Sequence, residues 1–373
     1  MEPPASALAA VTHPDPYPYY AALVAERPFH RDESLGLWVA AGAEAVRAAL
    51  TSEVCRVRPV AEPVPKALVG TAAGEVFGRM VRMNDGAYHV RTKPSVSAIV
   101  AMLDSALVAR HAESAARALA GELQPAAHPD RIASFAFSLP PHVVGLLLGL
   151  APGALRQVAA SAGDFVRGMA PGAAADDVQA GSAAARTLIE AVRTLPRYSA
   201  ASEETVANVV GFFFQSYEAT AALVGNTLLA LPRHPEARAL VRREPRALSA
   251  VVSEVTRHDA PVQNTRRFVA AAGEIAGQRV REGDTVLVVL AAANRDPGAN
   301  PDPARFDPGR RERRTFTFGF GAHACPGEAL AVANATAGVA QLLTAGVDPE
   351  RLAGAYAYRP SPNIRMPLFQ RAG

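Results

Sequence analysis

A glycine-rich loop that ends in a cysteine constrains this 373-residue chain more than any other feature. The loop runs from Phe318 to Gly327 and contains Cys325. An alanine-rich segment, 328–343, follows at once, with no proline and many good helix formers. A cysteine just before a helix meets the positive end of the helix dipole and several free backbone N–H groups. Both favour the thiolate, which is the form that ligates metals, so the sequence predicts a metal ligand at a helix start.

The glycines of this loop indicate that the metal is held in a large planar cofactor. A backbone without Cβ atoms can approach a bulky planar group closely, and a single cysteine thiolate is one of the axial ligands used by haem iron. The alternative is a buried cysteine in an ordinary loop-to-helix turn, the usual state of a free cysteine. With only Cys55 and Cys325, the chain offers no disulfide framework and no CxxC zinc site. It also has no HExxH or P-loop motif.

The loop resembles the FxxGxxxCxG signature of the cytochrome P-450 family of haem-thiolate enzymes, with Phe318, Gly321, Cys325 and Gly327 in place. The resemblance implies haem b as the cofactor, Cys325 as the axial ligand of its iron, and Phe318, Gly321 and Gly327 as part of the haem-binding loop. It also implies a mainly α fold with a small β region. We expect this fold to enclose the haem in a single domain over residues 1–373.

Hydrophobic patterning and proline spacing predict a mostly helical chain. Helices are expected at 14–27, 42–51, 99–122, 131–149, 153–170, 174–194, 202–231, 235–257 and 327–344. Strands are expected at 38–40 and 285–290, with a small β unit over 274–284. The longest apolar segment, 206–231, is interrupted by four polar residues and is therefore predicted to be a buried central helix.

Charge and the N-terminal segment predict a cytoplasmic protein without a membrane anchor. The N-terminus has no basic n-region and no apolar run of 18 residues. The net charge of +3 is too small to argue for nucleic-acid binding. We therefore expect neither a nucleic acid nor a membrane among the partners.

A second motif resembles the family's ExxR pair. Glu254 and Arg257 are three residues apart, so on a helix they share a face and can form an ion pair. An exposed pair of this kind contributes less than about 1 kcal/mol. The resemblance instead implies a buried, purely structural network, completed by a further arginine. Residues 306–310 match the family's FDPxR pattern, and we expect Arg310 to complete the network.

By the same resemblance, Arg267 and His323 are expected to bind haem propionates. A guanidinium suits a carboxylate because it offers two rigid donors. Arg266 competes with Arg267 for this role. A strand sends adjacent side chains to opposite faces, so only one of the two can point inward.

The segment 84–93 resembles the family's DGxxHxxxR element, which grips the other propionate. His89 and Lys93 are the matching residues, with lysine where arginine is commoner. Lysine keeps the charge but loses the two-pronged geometry. Pro94 disfavours a helical backbone at Lys93.

The centre of the long apolar segment departs from the family pattern. Relatives carry an AGxET-like run of two small residues, an acid and a threonine. Here Gln215 and Ser216 replace the small pair, Glu218 keeps the acid, and Ala219 stands at the threonine position. Thr220 comes one residue late, about 100° around the helix, so it cannot simply substitute.

In the family the acid and the alcohol deliver protons during oxygen activation. Residues 215, 216 and 219 share one helix face. We therefore expect Ser216 to replace the missing threonine hydroxyl, unless the substrate or water supplies it, and Glu218 to keep the role of the acid. Another interpretation is that Gln215 and Ser216 only cap a local bulge.

The resemblance implies a monooxygenase that oxidises a small organic molecule of specialised metabolism and receives electrons from a ferredoxin-type donor. A basic run, 310–314, could steer an acidic partner. One alternative is a haem-thiolate enzyme with non-hydroxylating chemistry, such as radical coupling, nitrene-type transfer or peroxide use. Another is a catalytically silent auxiliary subunit, against which the intact cysteine loop argues.

Overall fold

The computed structural model describes residues 2–370 and confirms a mainly α fold with a small β region. The helices are α1 (Tyr17–Glu26), α2 (Ala43–Thr51), α3 (Ala72–Arg79), α4 (Gly86–Ala101), α5 (Ser105–Leu123), α6 (Ile132–Leu148), α7 (Leu155–Gly168), α8 (Ala175–Arg193), α9 (Glu203–Arg233), α10 (Pro235–Arg243), α11 (Leu248–His258), α12 (Leu290–Asn294), α13 (Glu328–Thr344) and α14 (Pro349–Ala353). The strands are β1 (Phe29–Asp32), β2 (Leu37–Ala40), β3 (Cys55–Arg56), β4 (Thr265–Val269), β5 (Gly273–Ile275), β6 (Gln278–Val280), β7 (Thr285–Val288), β8 (Tyr356–Tyr358) and β9 (Pro367–Phe369).

The largest sheet has five strands in the order β1-β2-β7-β4-β3. Its β2 and β7 are the strands predicted near 38–40 and 285–290, and they pair in parallel. The predicted β unit over 274–284 is the separate hairpin β5–β6. A third pair, β8–β9, lies near the C-terminus. The pairing β4–β7 is antiparallel and sets Arg267 opposite Val286, with Arg266 opposite Leu287.

The 31-residue helix α9 is the predicted central helix. It begins at an N-cap, Ser202, whose hydroxyl accepts a hydrogen bond from the N–H of Thr205 at 3.2 Å. It packs against α3, α6, α7, α8, α11 and α13. Residues 206–211 and 220–231 are buried, whereas 214–219 are half-exposed. The accessible middle of α9, which lies between two buried stretches, indicates that this part of the helix lines a space inside the fold.

Two helix boundaries differ from the prediction. The expected helix 235–257 is divided into α10 and α11 by a 3₁₀ turn at Pro245–Ala247, since proline cannot continue the first helix. The expected helix 99–122 is α5 alone, and the preceding α4 was not predicted. Helix α4 runs through Pro94, so Lys93 is helical after all. Pro94 removes the hydrogen bond to the carbonyl of Val90, and Val90 is 71% exposed, so water can satisfy that carbonyl.

Pro129–Leu148, which includes α6, is long and apolar enough to cross a bilayer. The bent pair α4–α5, with a 72° angle, would also pass this test. Half of the first segment is buried, and α6 packs against α5, α7 and α9. Both features are typical of a core helix in a folded protein.

The side chain of Arg365 connects the two ends of the described chain and is 1% exposed. Its Nε donates to Asp259 Oδ1 at 2.9 Å, and the same oxygen accepts the hydroxyl of Tyr17 at 2.7 Å. Its Nη atoms donate to the main-chain carbonyls of Val11, His13 and Pro14. This clamp covers the end of α11.

His258, the last residue of α11, is held in its neutral form. Its Nδ1 lies 2.9 Å from the guanidinium of Arg295, which can only donate. Its Nε2 therefore carries the proton and donates to the carbonyl of Ala304 at 2.9 Å. Burial and the charge of Arg295 lower the pKa of His258 to about 2.

We expect acid to destabilise the fold through His258. The pKa is lower in the folded state than the ordinary value near 6.5, so below that pH the unfolded chain binds a proton that the native chain refuses. The contribution is complete above about pH 6.5. It falls by up to ~1.4 kcal/mol per pH unit below it. Urea unfolding at pH 7.5 and 5.5 should show a smaller pH slope for His258→Gln, which keeps the donor to Ala304. Parallel slopes for parent and variant would contradict this account.

Candidate active site

The cysteine loop is a compact turn that presents its sulfur just ahead of α13. The N–H of Cys325 donates to the carbonyl of Phe318 at 2.8 Å, which closes the loop. Gly319 and Gly321 have φ angles of +74° and +70°, where a side chain would be strained. The N–H of Gly327 lies 3.3 Å from Cys325 Sγ, and the cysteine is exposed. An accessible sulfur that receives a backbone N–H at a helix start is suited to bind a metal as a thiolate.

Asp85 connects α4 to this loop. It is the N-cap residue of α4, and its Oδ2 accepts the N–H of Val57 at 2.9 Å. Its Oδ1 lies 3.0 Å from Nε2 of His323, so it holds that ring in place. The bond to His323 lowers the pKa of Asp85 against the opposing effect of burial. The rings of His323 and His89 lie 4.2 Å apart.

Further basic groups lie around these histidines. The Nζ of Lys93 donates to the carbonyl of Ala324 at 2.8 Å, so this ammonium contacts the cysteine loop itself. Arg267 is buried, and the one hydrogen bond of its guanidinium within the described residues goes to the carbonyl of Arg266. Arg82, in the short 3₁₀ turn Val81–Met83 that precedes α4, adds an exposed guanidinium.

These residues fit haem b. The Nε2 of His89 is buried and has no hydrogen-bond partner among residues 2–370, an arrangement that calls for a polar group from outside the chain. The buried guanidinium of Arg267 makes one hydrogen bond among the same residues, although it carries five N–H donors. Carboxylates beside His89, Arg267 and Arg82 would supply these partners and balance the charges. The exposed sulfur of Cys325 offers the metal ligand that a planar carboxylate-bearing cofactor needs.

The space beside the cysteine loop lies between α9 and α13. The two helices meet where a Cβ on Gly338 would approach Val224 at 3.4 Å. On the N-terminal side of this crossing both helices are accessible, at 214–219 in α9 and 328–333 in α13. A flat cofactor held by the loop before α13 would therefore face the centre of α9.

Arg267→Ala should weaken haem retention. Arg267 is 7% exposed, and the alternation of burial along β4 turns Arg266 the other way. A hydrogen bond to a charged group contributes about 1.5–3 kcal/mol, so haem transfer to apomyoglobin should become about 10- to 100-fold faster. Arg266→Ala is the matched control and should transfer haem at the parental rate. The reverse result would mean that the register of β4 is misassigned.

The predicted ion pair Glu254–Arg257 is present and completely buried, with both side chains 0% exposed. The predicted Arg310 lies within ion-pair distance of this carboxylate, with its Nε 3.6 Å from Oε1 of Glu254, while its Nη atoms donate to main-chain carbonyls. Arg313, which was not predicted, also joins the network, and its Nε donates to Glu254 Oε2 at 2.9 Å.

The centre of α9 is continuous helix, and the side chains of Gln215 and Ser216 bond to their own helix. The Nε2 of Gln215 donates to the carbonyl of Gly211 at 2.9 Å, and Oγ of Ser216 donates to that of Phe212 at 2.7 Å. Neither caps a bulge, because α9 has no break here. Ala219 is half-exposed, whereas Thr220 is 2% exposed and faces the packed core.

Glu218 forms an ion pair that the sequence did not predict. Its carboxylate contacts the guanidinium of Arg359, which lies beyond β8 and over the ring of Phe137 at 5.4 Å. Arg82, Asp85 and Arg313 were missed as well. Asp85 could have been found from its place in the DGxxHxxxR-like segment, but a pair 141 residues apart has no local signal.

Comparison with known proteins points to one family. The family model described as "Cytochrome P-450" matches residues 184–345. The chain is 42% identical over 130 residues to 6-deoxyerythronolide B hydroxylase of Saccharopolyspora erythraea, which covers 35% of this chain and 32% of that protein. It is 29% identical to cytochrome P-450 monooxygenase PikC of Streptomyces venezuelae over 96% of this chain and 92% of PikC. The crystal structure of CalO2 superposes with a TM-score of 0.79 at 29% identity, covering 96% and 97% of the two chains.

The extent of these matches differs. With several curated relatives, the alignment spans about a third or less of the relative's length. The matches to PikC and CalO2 extend over nearly the whole chain.

Proposed function

This chain belongs to the cytochrome P-450 family, and on that premise we propose that it is a haem-thiolate monooxygenase that oxidises a small organic molecule. The observation that carries the proposal is the exposed Cys325 sulfur on the same loop as His323, next to the buried His89, whose Nε2 has no hydrogen-bond partner among residues 2–370. Two similar proteins are named as a hydroxylase and a monooxygenase. The first of them is named for 6-deoxyerythronolide B, which supports a small organic substrate, and we propose one from specialised metabolism.

In this proposal Cys325 ligates the haem iron, and Arg267, His323 and His89 bind the propionates. Lys93 is proposed as a weaker propionate contact. Its ammonium group is held beside the loop by the hydrogen bond to the carbonyl of Ala324. Phe318, Gly321 and Gly327 shape the loop. When bound, haem would supply oxygen activation, and the thiolate of Cys325 would hold its iron. The chain's own residues supply binding, exclusion of water and protons.

Proton delivery is proposed to rest on Ser216 and Glu218. The hydroxyl hydrogen of Ser216 is held by Phe212, so Oγ offers lone pairs that can orient a water molecule. The carboxylate of Glu218 is paired with Arg359 and must leave this pair to reach the same space. Ala219 supplies no hydroxyl. Gln215 lies one helical turn before Ala219 on the same face of α9.

A reconstituted turnover experiment tests this function. The holoprotein, a ferredoxin, its reductase and NADPH are combined with a compound that gives a spectral binding shift, and product and hydrogen peroxide are both measured. A positioned proton donor is worth about 10²- to 10⁴-fold in rate. Ser216→Ala and Glu218→Gln should therefore lose product and release peroxide, and Ala219→Thr should partly restore coupling.

If Ser216→Ala and Glu218→Gln both turn over the compound at the parental rate, the relay is refuted. Non-hydroxylating chemistry would then be the better assignment, and Ala219 in place of the alcohol is the observation that favours it. A protein that retains haem but oxidises nothing in this assay would match a silent auxiliary subunit.

We propose a ferredoxin-type protein as the electron donor and the cytoplasm as the compartment. The support for the first is the group of arginines in the loop that precedes the cysteine, of which Arg311 and Arg314 have no role in the Glu254 network. Exposed guanidinium groups attract an acidic partner, and that attraction falls with ionic strength.

A further inference from the structure

Two side chains in the middle of α9 turn unused hydrogen-bond acceptors towards the internal space. The single hydrogen of the Ser216 hydroxyl is donated to the carbonyl of Phe212, so only lone pairs remain on Oγ. The Nε2 of Gln215 is fixed to the carbonyl of Gly211, which directs Oε1 away from that bond. Within residues 2–370, Oε1 has no partner.

Their surroundings connect these acceptors to the cysteine loop. A Cβ on Gly211 would come within 2.9 Å of the sulfur of Met80 and 3.2 Å of Gln215 Nε2, so Gln215 lies beside Met80. The short turn Val81–Met83 that follows Met80 leads to Asp85, whose Oδ1 lies 3.0 Å from Nε2 of His323 in that loop. Gln215 and Ser216 are half-exposed in a helix whose flanking turns are buried.

The same helix face is otherwise apolar and partly aromatic. Phe212, Gln215, Ser216 and Ala219 have the spacing i, i+3, i+4 and i+7, which is one stripe of a helix. Phe212 is half-exposed, as is Phe214, which packs edge-on against Phe165 at 5.9 Å. Flat apolar molecules pack well against such rings.

We infer that Gln215 and Ser216 form a specificity site that binds a hydroxyl or N–H group of an aromatic substrate. The inference rests on the proposed haem-thiolate function, because it assumes that the substrate enters the space between α9 and the cysteine loop. Oε1 of Gln215 and Oγ of Ser216 accept the substrate's hydrogen bond, and Phe212 packs against its ring. A site built around unused acceptors discriminates against an analogue that lacks the donor.

Azole probes test this site without knowledge of the natural substrate. The holoprotein is titrated with 4-phenylimidazole and with its 2-, 3- and 4-hydroxyphenyl analogues, each beside the methoxyphenyl compound of the same isomer. The imidazole nitrogen ligates the iron in every case, and the shift of the Soret band gives Kd. We expect at least one hydroxyl isomer to bind about tenfold more tightly than its methoxy partner, in line with one added hydrogen bond.

Variants then assign the preference. Gln215→Leu and Ser216→Ala should each reduce the preference for the hydroxyl isomer, because each removes one of the two acceptors. Gln157→Leu, an exposed glutamine on α7, is the matched control and should behave as the parent.

Two results would overturn the inference. One is equal Kd values within all three isomer pairs. The other is an unchanged preference in both Gln215→Leu and Ser216→Ala. If 4-phenylimidazole itself leaves the Soret band unmoved, the haem-thiolate function fails, and the specificity site fails with it. These outcomes separate the two proposals, because the first two leave azole binding intact.

Discussion

Cys325→Ser should abolish the strongly red-shifted Soret band that reduced haem-thiolate protein gives with carbon monoxide. That band requires a thiolate on the iron, and serine carries no sulfur to supply one. Within the described residues Cys325 is the exposed cysteine, and its sulfur receives the N–H of Gly327 at 3.3 Å. The change should also abolish formation of the oxidised product, since serine cannot donate electron density to the iron as a thiolate does.

Cys55→Ser is the matched control. Cys55 lies in β3 and is buried. Burial raises the pKa of its thiol, which disfavours the thiolate that a metal needs. The carbon monoxide spectrum of this variant should equal that of the parent. An unaltered spectrum in Cys325→Ser would refute the proposed iron ligand and the function built on it.

Glu254→Ala should destabilise the fold by about 3–5 kcal/mol, because it leaves the guanidinium of Arg257 buried without its counter-ion. Arg257 is 0% exposed, and Glu254 also accepts from Arg313 and from the N–H of Asp307. The loss should appear as a lower free energy of unfolding in urea, and haem retention should fall with it. If the buried pair is purely structural, the carbon monoxide spectrum of the remaining folded protein should be unchanged.

Glu75→Ala gives the comparison for an exposed pair. Glu75 and Arg79 are four residues apart in α3, and their side chains are 65% and 39% exposed. Pairs of this kind contribute about 0.3–0.5 kcal/mol. A loss below about 1 kcal/mol in Glu254→Ala would place the Glu254 network in the same weak class and contradict its supporting role.

The parts of the site that the sequence predicted are those that local spacing determines. Cys325 and its glycines lie within one short loop, and Glu254 and Arg257 lie one helical turn apart. The choice of Arg267 over Arg266 came from the family resemblance, because strand alternation says only that one of the two points inward. The central helix α9 was predicted from the length of the apolar segment 206–231 and from the four polar residues that interrupt it.

The parts that the sequence did not predict depend on how distant segments meet. That Arg313 reaches Glu254 in addition to Arg310 depends on the path of an irregular loop, in which even Asp302 adopts a φ of +50°. The pair Glu218–Arg359 joins residues from α9 and the C-terminal hairpin. Pro94 was weighed only for its local preference, whereas α4 is held in place by its contacts with the cysteine loop through Lys93.

The Arg365 clamp has a consequence for the order in which the chain folds. Its hydrogen bonds join residues separated by 351 to 354 positions, close to the greatest separation that this chain allows. Closing so long a loop is entropically unfavourable until the intervening structure has formed. During synthesis the hydrogen bonds from Arg365 to the N-terminal arm can therefore form only after residue 365 has been made. Until then Asp259 lacks its nearest guanidinium, so completion of the C-terminal hairpin is the event that joins the two ends of the chain.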